Sequence, residues 1–238
     1  RIVVVGGDGT LHEVINGVDP LRCVIGIIPT GTGNDFCRSV DIPLDPFATA
    51  DYIFSDNLRT IDLGCVNGHR FINIAGIGFD ADVADKVNKS TALRCLSGTA
   101  AYLAGVFTTL PTYKNTHVNI TVDKNTFEGS VFLVAVGNSR YYGGGIKMVP
   151  HAVIDDGLFH ICLGQNIGFL EALKILPKVF SGRHINHPKV RCLSGKHISI
   201  KTPSAMNVHA DGEIVSVTPA DFKIIPSCLR IVYPKREG

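Results

Sequence analysis

The chain has 238 residues, of which 45% are hydrophobic and 18% are charged, and its formal net charge is +2. This length allows one large or two small domains with buried cores, and the composition is that of an ordinary globular protein. The small net charge argues against the basic surface that nucleic-acid-binding proteins usually carry, so we expect no nucleic-acid partner.

The cysteines and the apolar runs narrow the class of protein further. Seven cysteines are dispersed without a C-x-x-C pair, which indicates reduced thiols in a cytoplasmic protein and neither a disulfide framework nor a zinc site. The longest apolar run, Val131–Val136, is much shorter than the ~18 residues of a membrane span, so we expect no transmembrane segment. The sequence opens inside another apolar run at Ile2, and we expect a further segment before Arg1.

The first sixty residues alternate between apolar runs and helical spacing, a pattern that predicts a parallel α/β layer. The predicted elements are strands at Ile2–Val5 and Cys23–Ile28 and helices at Leu11–Val18 and Pro46–Phe54.

After about Asp62 the strand patterns crowd together, which predicts an antiparallel sheet or sandwich. Turn signals at Asp156-Gly157 and Asp211-Gly212 separate several strands, and helices are predicted at Thr99–Leu110 and Ile167–Phe180. We place a domain boundary at this change of pattern. The predicted strands are Phe71–Ile77, His117–Val122, Val131–Val136, Phe159–Leu163, His197–Lys201, Glu213–Val217 and Arg230–Tyr233.

A glycine-rich loop with the sequence GGDGT separates the first strand from the first helix at residues 6–10. Such glycines let backbone N–H groups approach a ligand, and the helix N-terminus adds partial positive charge, so the loop suits a phosphate group. A plain strand-to-helix turn explains the glycines equally well. Neither a G-x-G-x-x-G fingerprint nor a G-K-[S/T] loop is present. Asp8 would repel a phosphate unless it holds a metal ion or binds the sugar or base of a nucleotide.

Two later motifs add to this pattern. The loop 29–35, PTGTGND, again follows a strand, and two such loops at neighbouring parallel strands face one crevice, where open α/β sheets bind ligands. The segment Val208–Glu213 contains Asp211-Gly212, for which a simple hairpin turn is the plainer explanation. A carboxylate on that turn, facing a phosphate site, can also accept a hydroxyl proton as a general base.

The ordered series of motifs resembles the diacylglycerol kinase catalytic domain family, especially its soluble bacterial members. GGDGT at 6–10, PTGTGNDF at 29–36, GGG and DDGL within 143–158 and DGE at 211–213 stand in the family's order. The resemblance implies a fold of α/β plus all-β type, like that of NAD kinases and diacylglycerol kinases. An α/β nucleotide-binding lobe at 1–62 is followed by a β-sandwich-like catalytic lobe at 63–238, with the active site between them.

The resemblance implies an ATP-dependent lipid kinase, which transfers the γ-phosphate of ATP to a lipid hydroxyl, with diacylglycerol as the expected acceptor. Asp211 matches the family's general base, and Asp62 matches a carboxylate that works with it. A remote magnesium site is implied at the Asp156 side chain and the carbonyls of Val153 and Leu158. The residues implied for the nucleotide site are Gly6, Gly7, Asp8, Gly9, Thr10, Glu13, Thr32, Asn34, Asp35 and Glu213.

The same resemblance implies ATP and Mg²⁺ as cofactors, and a lipid acceptor met at a membrane surface. The expected location is cytoplasmic with peripheral membrane association, and the sequence is compatible with a homodimer. Apolar residues at helical spacing form a stripe that faces the core in most proteins and a membrane in a minority. They are Ile167, Leu170, Leu173 and Leu176.

Three features depart from the family pattern. The strand and the Asn-Pro and Ser-Gly loop that usually precede GGDGT are absent. His12 stands where asparagine is common, and His151 where aspartate is common. The family's chain returns to the first domain at its C-terminus, whereas this sequence stops soon after Tyr233, so we expect the return to be cut short.

Two other functions remain open. An NAD-kinase-like enzyme with a soluble acceptor shares the GGDGT-like opening, although Asn34-Asp35 and the lack of an Asn-Asn-Asp run argue against it. A nucleotide-binding regulator without transferase activity is the other alternative. The joint presence of Asp211 and Glu213 argues for an enzyme, since a regulator has no evident need of a base.

Overall fold

The structure is a computed structural model that describes residues 1–96 and 98–234. Two parallel strands and three short helices make up its first part, and the strand ends that carry the two glycine-rich loops lie side by side. In the register of this pair, Gly6 stands opposite Pro29. The elements are β1 (Ile2–Gly6), α1 (Asp8–Gly17), β2 (Val24–Pro29), α2 (Asp35–Ser39) and α3 (Pro46–Ala50).

The rest of the described chain is dominated by strands. It contains β3 (Leu58–Val66), β4 (His69–Phe71), β5 (Ile74–Gly78), α4 (Phe79–Lys89), α5 (Thr91–Arg94), α6 (Gly98–Thr109), β6 (Thr116–Val122), β7 (Asn125–Gly137), β8 (Phe159–Gln165), α7 (Phe169–Phe180), β9 (Val190–Gly195), β10 (His197–Lys201), β11 (Asn207–Ala210), β12 (Glu213–Val217) and β13 (Ala220–Val232).

The strands form one 13-stranded sheet system that confirms the predicted mixture of a parallel α/β layer and antiparallel β-structure. Its main path runs β1-β2-β13-β10-β6-β7-β5-β11-β12, with β3 and β4 attached to β13 and with β8 and β9 attached to β7. The pairs β1–β2 and β2–β13 are parallel, whereas the other pairs are antiparallel.

The long strand β13 joins the two parts of the chain, so a return to the first part lies within the described residues. Arg230 and Ile231 of β13 pair in parallel with Val24 and Ile25 of β2. The N–H of Tyr233 also donates to the carbonyl of Asn57 at 2.9 Å. The apolar end of β13 is buried with the first helices in one core, and whether the return is cut short stays a prediction.

Two of the predicted elements end or break earlier than expected, each for a local reason. The helix predicted at Pro46–Phe54 ends at Ala50, because Tyr52 and Ser55 then make three-residue turn bonds to the carbonyls of Thr49 and Tyr52. The strand predicted at Phe71–Ile77 is interrupted between β4 and β5. The N–H groups at this break bind a carboxylate, as described below.

The amphipathic helix α7 combines core and surface positions. Ala172, Ile175 and Val179 are buried, and Leu173 packs against the same core, whereas Leu170 is 70% exposed. The stripe predicted from helical spacing therefore does not face in one direction. Among the described helices, none has both the length and the apolarity that crossing a membrane requires.

Candidate active site

The two glycine-rich loops touch each other through their backbones. A Cβ atom built on Gly31 would lie 2.5 Å from the Cα of Gly7, and one built on Gly7 would lie 3.0 Å from the Cα of Gly31. The N–H of Thr30 donates to the carbonyl of Gly6 at 3.1 Å, which extends the β1–β2 ladder into the loops. Glycine is required at 7 and 31 by this close approach, independently of any ligand.

Asp8 links the first loop to the second. Its carboxylate accepts hydrogen bonds from the N–H groups of Asp35 and Phe36, both at 3.0 Å, and from the Asn73 side-chain amide at 3.3 Å. The first two are N-terminal N–H groups of α2, which have no partner within the helix. These donors satisfy Asp8, so neither a metal ion nor a nucleotide sugar is needed to explain an aspartate in this loop.

Asp35 connects the second loop to the glycine segment 143–145. Its two carboxylate oxygens accept the N–H groups of Gly144 and Gly145, each at 2.7 Å. Both glycines have positive φ angles, 82° and 106°, which favour glycine over other residues. Burial, reinforced by the negative charge of Asp8, raises the pKa of Asp35 to about 6 even though the two N–H groups favour its charged form.

Asp211 occupies a two-residue hairpin turn between β11 and β12, as predicted. Ala210 pairs with Glu213, and the φ angles of Asp211 and Gly212 are 52° and 92°, the left-handed geometry of a type I′ turn. The side chain of Asp211 points inward and is fully covered. Its oxygens accept the N–H groups of Ile72 at 3.0 Å and Asn73 at 2.8 Å. These are the N–H groups at the break between β4 and β5.

His12 brings helix α1 into contact with Asp211. Its Nδ1 lies 3.1 Å from the Asp211 Oδ2, and the imidazole is mostly buried. Burial by itself lowers the pKa of His12, but the hydrogen bond and the negative charge of Asp211, with smaller contributions from Glu213 and Glu13, outweigh it. The net result is a raised pKa. The His12–Asp211 contact thus joins the helix after the first glycine loop to the hairpin between β11 and β12.

The raised pKa of His12 predicts a pH-dependent stability. Protonated His12 is favoured in the folded state, so its contribution is complete below its ordinary pKa of about 6.5 and disappears as the pH rises through the raised value. Against a His12→Asn variant, whose amide donates to Asp211 at every pH, the wild type is expected to lose relative stability on alkalinisation. Urea unfolding of both proteins between about pH 5.5 and 8.5 measures this. A difference that stays constant over this range would contradict the prediction.

The loops and the hairpin enclose one cavity with about 1350 Å³ of empty space, part of it open to solvent. The predicted residues that line it are Gly7, Asp8, Gly9, Thr32, Asp35, Asp211 and Glu213. Four other predicted residues, Gly6, Thr10, Glu13 and Asn34, lie outside its lining. The Thr10 side chain covers Gly6, and the amide of Asn34 donates to the Gly31 carbonyl at 2.7 Å.

Asp62 lies on β3 and does not line this cavity. Its carboxylate accepts the N–H groups of Gly157 and Ser227, each at 2.7 Å, and so holds two loops against the strand. The structure does not bring Asp62 into contact with Asp211, and a joint role of the two carboxylates stays a prediction.

The Asp156 carboxylate of the predicted magnesium site makes hydrogen bonds with residues close to it in the sequence. Asp156 Oδ1 accepts the N–H of Leu158 at 3.0 Å, and Oδ2 pairs with His160 Nε2 at 2.9 Å, while Val153 lies on the surface. In the described part of the chain, no three His, Cys, Asp or Glu side chains converge as metal ligands. Each Asp156 oxygen keeps a second lone pair beside its hydrogen bond, and the magnesium site stays a prediction to which we assign no catalytic step.

Several residues of the cavity were not found from the sequence. Asn73 connects the two acids of the site, since its amide donates to Asp8 and its backbone N–H donates to Asp211. His209 and Asp80 form a buried pair with Nε2 and Oδ2 3.1 Å apart, and the His209 ring stacks on Tyr142. The one available signal was the polar Asn73 in the middle of an apolar run.

Comparisons with known proteins show which family this chain resembles. Residues 1–66 match the model of the diacylglycerol kinase catalytic domain, and residues 73–233 match the model of the YegS C-terminal NAD kinase beta sandwich-like domain. A diacylglycerol kinase of Staphylococcus carnosus is 34% identical over 236 residues, which cover 98% of this chain and 76% of that protein. The chain belongs to the diacylglycerol kinase family.

Other relatives support this diacylglycerol kinase assignment. A Bacillus subtilis diacylglycerol kinase is 32% identical over 240 residues, which cover 100% of this chain and 78% of that protein. A solved structure of a Bacillus anthracis protein has a TM-score of 0.82 at 29% identity, over 98% of this chain and 76% of that one. The predicted family and enzyme class are therefore confirmed, and this member of the diacylglycerol kinase family is a lipid kinase.

Proposed function

We propose that this lipid kinase transfers the γ-phosphoryl group of ATP to the free hydroxyl of diacylglycerol, forming phosphatidic acid and ADP. The observation that supports the proposal is the single cavity that contains both the N-terminus of α1 and Asp211. Phosphoryl transfer depends mainly on positioning and on charge stabilisation, and the lining of this cavity contains both a helix N-terminus and a carboxylate.

The phosphates of ATP are proposed to bind at the N-terminus of α1. The first intrahelical bond there runs from the N–H of Leu11 to the carbonyl of Gly7, so the N–H groups of Asp8, Gly9 and Thr10 have no acceptor within the helix. No side chain caps them, because the N-cap residue is Gly7. Uncapped N–H groups and the helix dipole both favour an anion at this place.

Asp211 is proposed to accept the proton of the lipid hydroxyl as it attacks the γ-phosphorus atom. Its side chain is fully covered, so the hydroxyl must displace one of its partners. The donors from Ile72 and Asn73 belong to the backbone and are fixed, whereas His12 is a side chain that can rotate away from Oδ2. The proton then passes to Asp211 while the bond to ADP breaks.

The proposed reaction also requires Mg²⁺ as the counter-ion of ATP and diacylglycerol as the acceptor. Mg²⁺ is taken to enter with ATP and to neutralise its phosphates, which lie near the negative charges of Asp8 and Asp35. Diacylglycerol resides in membranes, so the enzyme would act as a cytoplasmic protein that meets a membrane surface from outside.

An acceptor panel tests this proposed function. Wild-type protein is incubated with γ-labelled ATP, Mg²⁺ and vesicles that contain diacylglycerol, monoacylglycerol or a sphingoid base, with NAD and lipid-free samples in parallel. Label is expected in phosphatidic acid, with little ATP consumed in the absence of lipid. Labelling of NAD, or ATP consumption that ignores every lipid, would contradict the proposal.

The phosphate site is tested by a matched pair of glycine substitutions in α1. A Cβ atom at Gly9 or at Gly17 would meet nothing within 4 Å, so both variants should fold, with alanine favouring the helix by ~0.5–1 kcal/mol. Only Gly9 lines the cavity. Because a methyl group at 9 would stand where a phosphate approaches its N–H, Gly9→Ala is expected to weaken ATP binding roughly tenfold or more. Gly17→Ala should bind as the wild type does.

Titration of the two variants with ATP tests whether the N-terminus of α1 binds the phosphates. Equal ATP affinity of the folded Gly9→Ala and Gly17→Ala proteins would remove the N-terminus of α1 from the phosphate site.

A further inference from the structure

Two of the seven cysteines face each other across neighbouring strands. Cys162 of β8 stands directly opposite Cys192 of β9 in a regular antiparallel register, and residues that are opposite each other in this way lie on the same face of the sheet. Both thiols are free in this structure. Among the described strands β9 is bonded to β8 alone, so the pair lies at an edge of the sheet. Neither cysteine lines the cavity of the candidate active site.

The hydrogen-bond pattern of β8 and β9 determines how closely the two cysteines approach. Gln165 and Lys189 continue the register of the two strands, and the N–H of Gln165 donates to the Lys189 carbonyl at 2.8 Å. They are therefore a hydrogen-bonded pair, and such pairs alternate with non-hydrogen-bonded pairs along an antiparallel ladder. Three steps along, Cys162 and Cys192 form a non-hydrogen-bonded pair, in which Cα atoms are typically ~4.5 Å apart. Disulfides join Cα atoms that are about 4.4–6.8 Å apart, so a bond between these two requires no large movement of the strands.

The two thiols differ in their exposure to solvent and in their acidity. Cys162 is buried, with its Sγ 3.7 Å from the Nε2 of His184, and its hydrogen bond to Cys192, reinforced by burial, raises its pKa. Cys192 is exposed, and the same hydrogen bond lowers its pKa to about 7. Only a thiolate attacks a disulfide, and only where the reagent has access to it. Cys192 is therefore the thiol that meets a dissolved reagent, and Cys162 lies behind it as the second thiol.

We propose that Cys162 and Cys192 form a thiol–disulfide exchange site, at which a low-molecular-weight disulfide of the glutathione class oxidises the pair to a cross-strand disulfide. The Cys192 thiolate attacks one sulfur atom of the reagent and releases half of the reagent as a thiolate. The Cys162 thiol then attacks the Sγ of Cys192 and expels the other half, which leaves with the Cys162 proton. One disulfide bond breaks and one forms, and the reagent takes up the two electrons that the cysteines lose.

The new bond would tie the edge strand β9 to β8 and close a ring of chain that contains α7. Because a closed ring restricts the unfolded chain, the oxidised protein is expected to resist heat better than the reduced one. An exposed disulfide is also readily reduced again. This behaviour suits a cytoplasmic protein, in which disulfides are usually transient and respond to the redox state of the cell.

Oxidation of the folded protein, followed by peptide mapping, tests the inference. The full chain is reduced, freed of reductant and incubated with oxidised glutathione. The remaining thiols are then alkylated, and the digest is analysed by mass spectrometry. A peptide pair that joins Cys162 to Cys192 is expected, together with a higher thermal unfolding midpoint of the oxidised protein. Cys95→Ser is the matched control, because Cys95 is another exposed thiol but follows the helix α5 and has no place in the β8–β9 register. This variant should form the same cross-link as the wild type.

Two further variants test the order of attack. Cys162→Ser is expected to stop at a glutathione adduct on Cys192, whereas Cys192→Ser should keep Cys162 reduced. Three results with the wild type would overturn the inference: alkylation of both cysteines after oxidation, a lasting glutathione adduct on Cys192, or a cross-link between the Cys192 residues of two molecules. The wild-type map decides even if a variant fails to fold. No ATP or lipid is needed, so the outcome is independent of the proposed kinase reaction.

Discussion

Replacing Asp211 with asparagine is expected to lower kcat by about 10²–10⁴-fold, the usual effect of losing a general base. The amide has nearly the shape of the carboxylate and can still accept one of the N–H groups of Ile72 and Asn73. It does not accept a proton at neutral pH, so the attacking hydroxyl loses its base. Steady-state kinetics with ATP and diacylglycerol vesicles measures the effect, and the Kd for ATP is expected to change little.

A matched control separates loss of the base from damage to a turn. Asp123 stands in another two-residue hairpin, between β6 and β7, with a positive φ of 51°. Its carboxylate accepts the N–H groups of Lys196 and His197, as Asp211 accepts two backbone N–H groups, but it lies outside the cavity. Asp123→Asn should therefore keep wild-type turnover. Near wild-type turnover of Asp211→Asn, or an equal loss in Asp123→Asn, would contradict the assignment of Asp211.

Replacing Gly31 with alanine is expected to destabilise the protein and to weaken ATP binding together. The new methyl group would lie 2.5 Å from the Cα of Gly7 and 2.9 Å from the Asn34 Oδ1, so the loops must separate. Such overpacking typically costs ~1–3 kcal/mol of unfolding free energy. Separation also moves Gly7 and the N-terminus of α1, where the phosphates are proposed to bind.

Denaturant unfolding and an ATP titration of Gly31→Ala measure the two effects. Gly17→Ala is the control, since it adds the same methyl group at the open end of α1. Unchanged stability and unchanged ATP affinity of Gly31→Ala would show that the loops do not depend on their close contact.

Local sequence patterns were sufficient to predict the helices and strands whose apolar spacing is regular. The runs that became β1, β2, β6 and β10 and the helix α6 lie within a few residues of their predicted bounds. Helix α4 was missed because acidic and basic residues interrupt its apolar spacing and because it begins directly after β5, which ends at Gly78 with a φ of 100°. Strand β9 was missed because its side chains are mostly exposed or half-buried and show no clean alternation.

Contacts between residues that are distant in the sequence could not be predicted from any motif. The His12–Asp211 pair joins residues 199 positions apart, and Asn73 reaches Asp8 across 65 positions. The first contact depends on how the hairpin of β11 and β12 docks beside β5, and the second on how α1 packs beside the break between β4 and β5. The motifs identified Asp8 and Asp211 as chemically important residues, but the partners that orient them follow from the tertiary fold.

A crystal structure with ADP bound would show directly whether the phosphates bind in the same cavity as Asp211. We expect the β-phosphate at the N–H groups of Gly9 and Thr10, beside the cavity that also contains Asp211. ADP bound on a face remote from the Gly7–Gly31 contact, with that cavity empty, would contradict it.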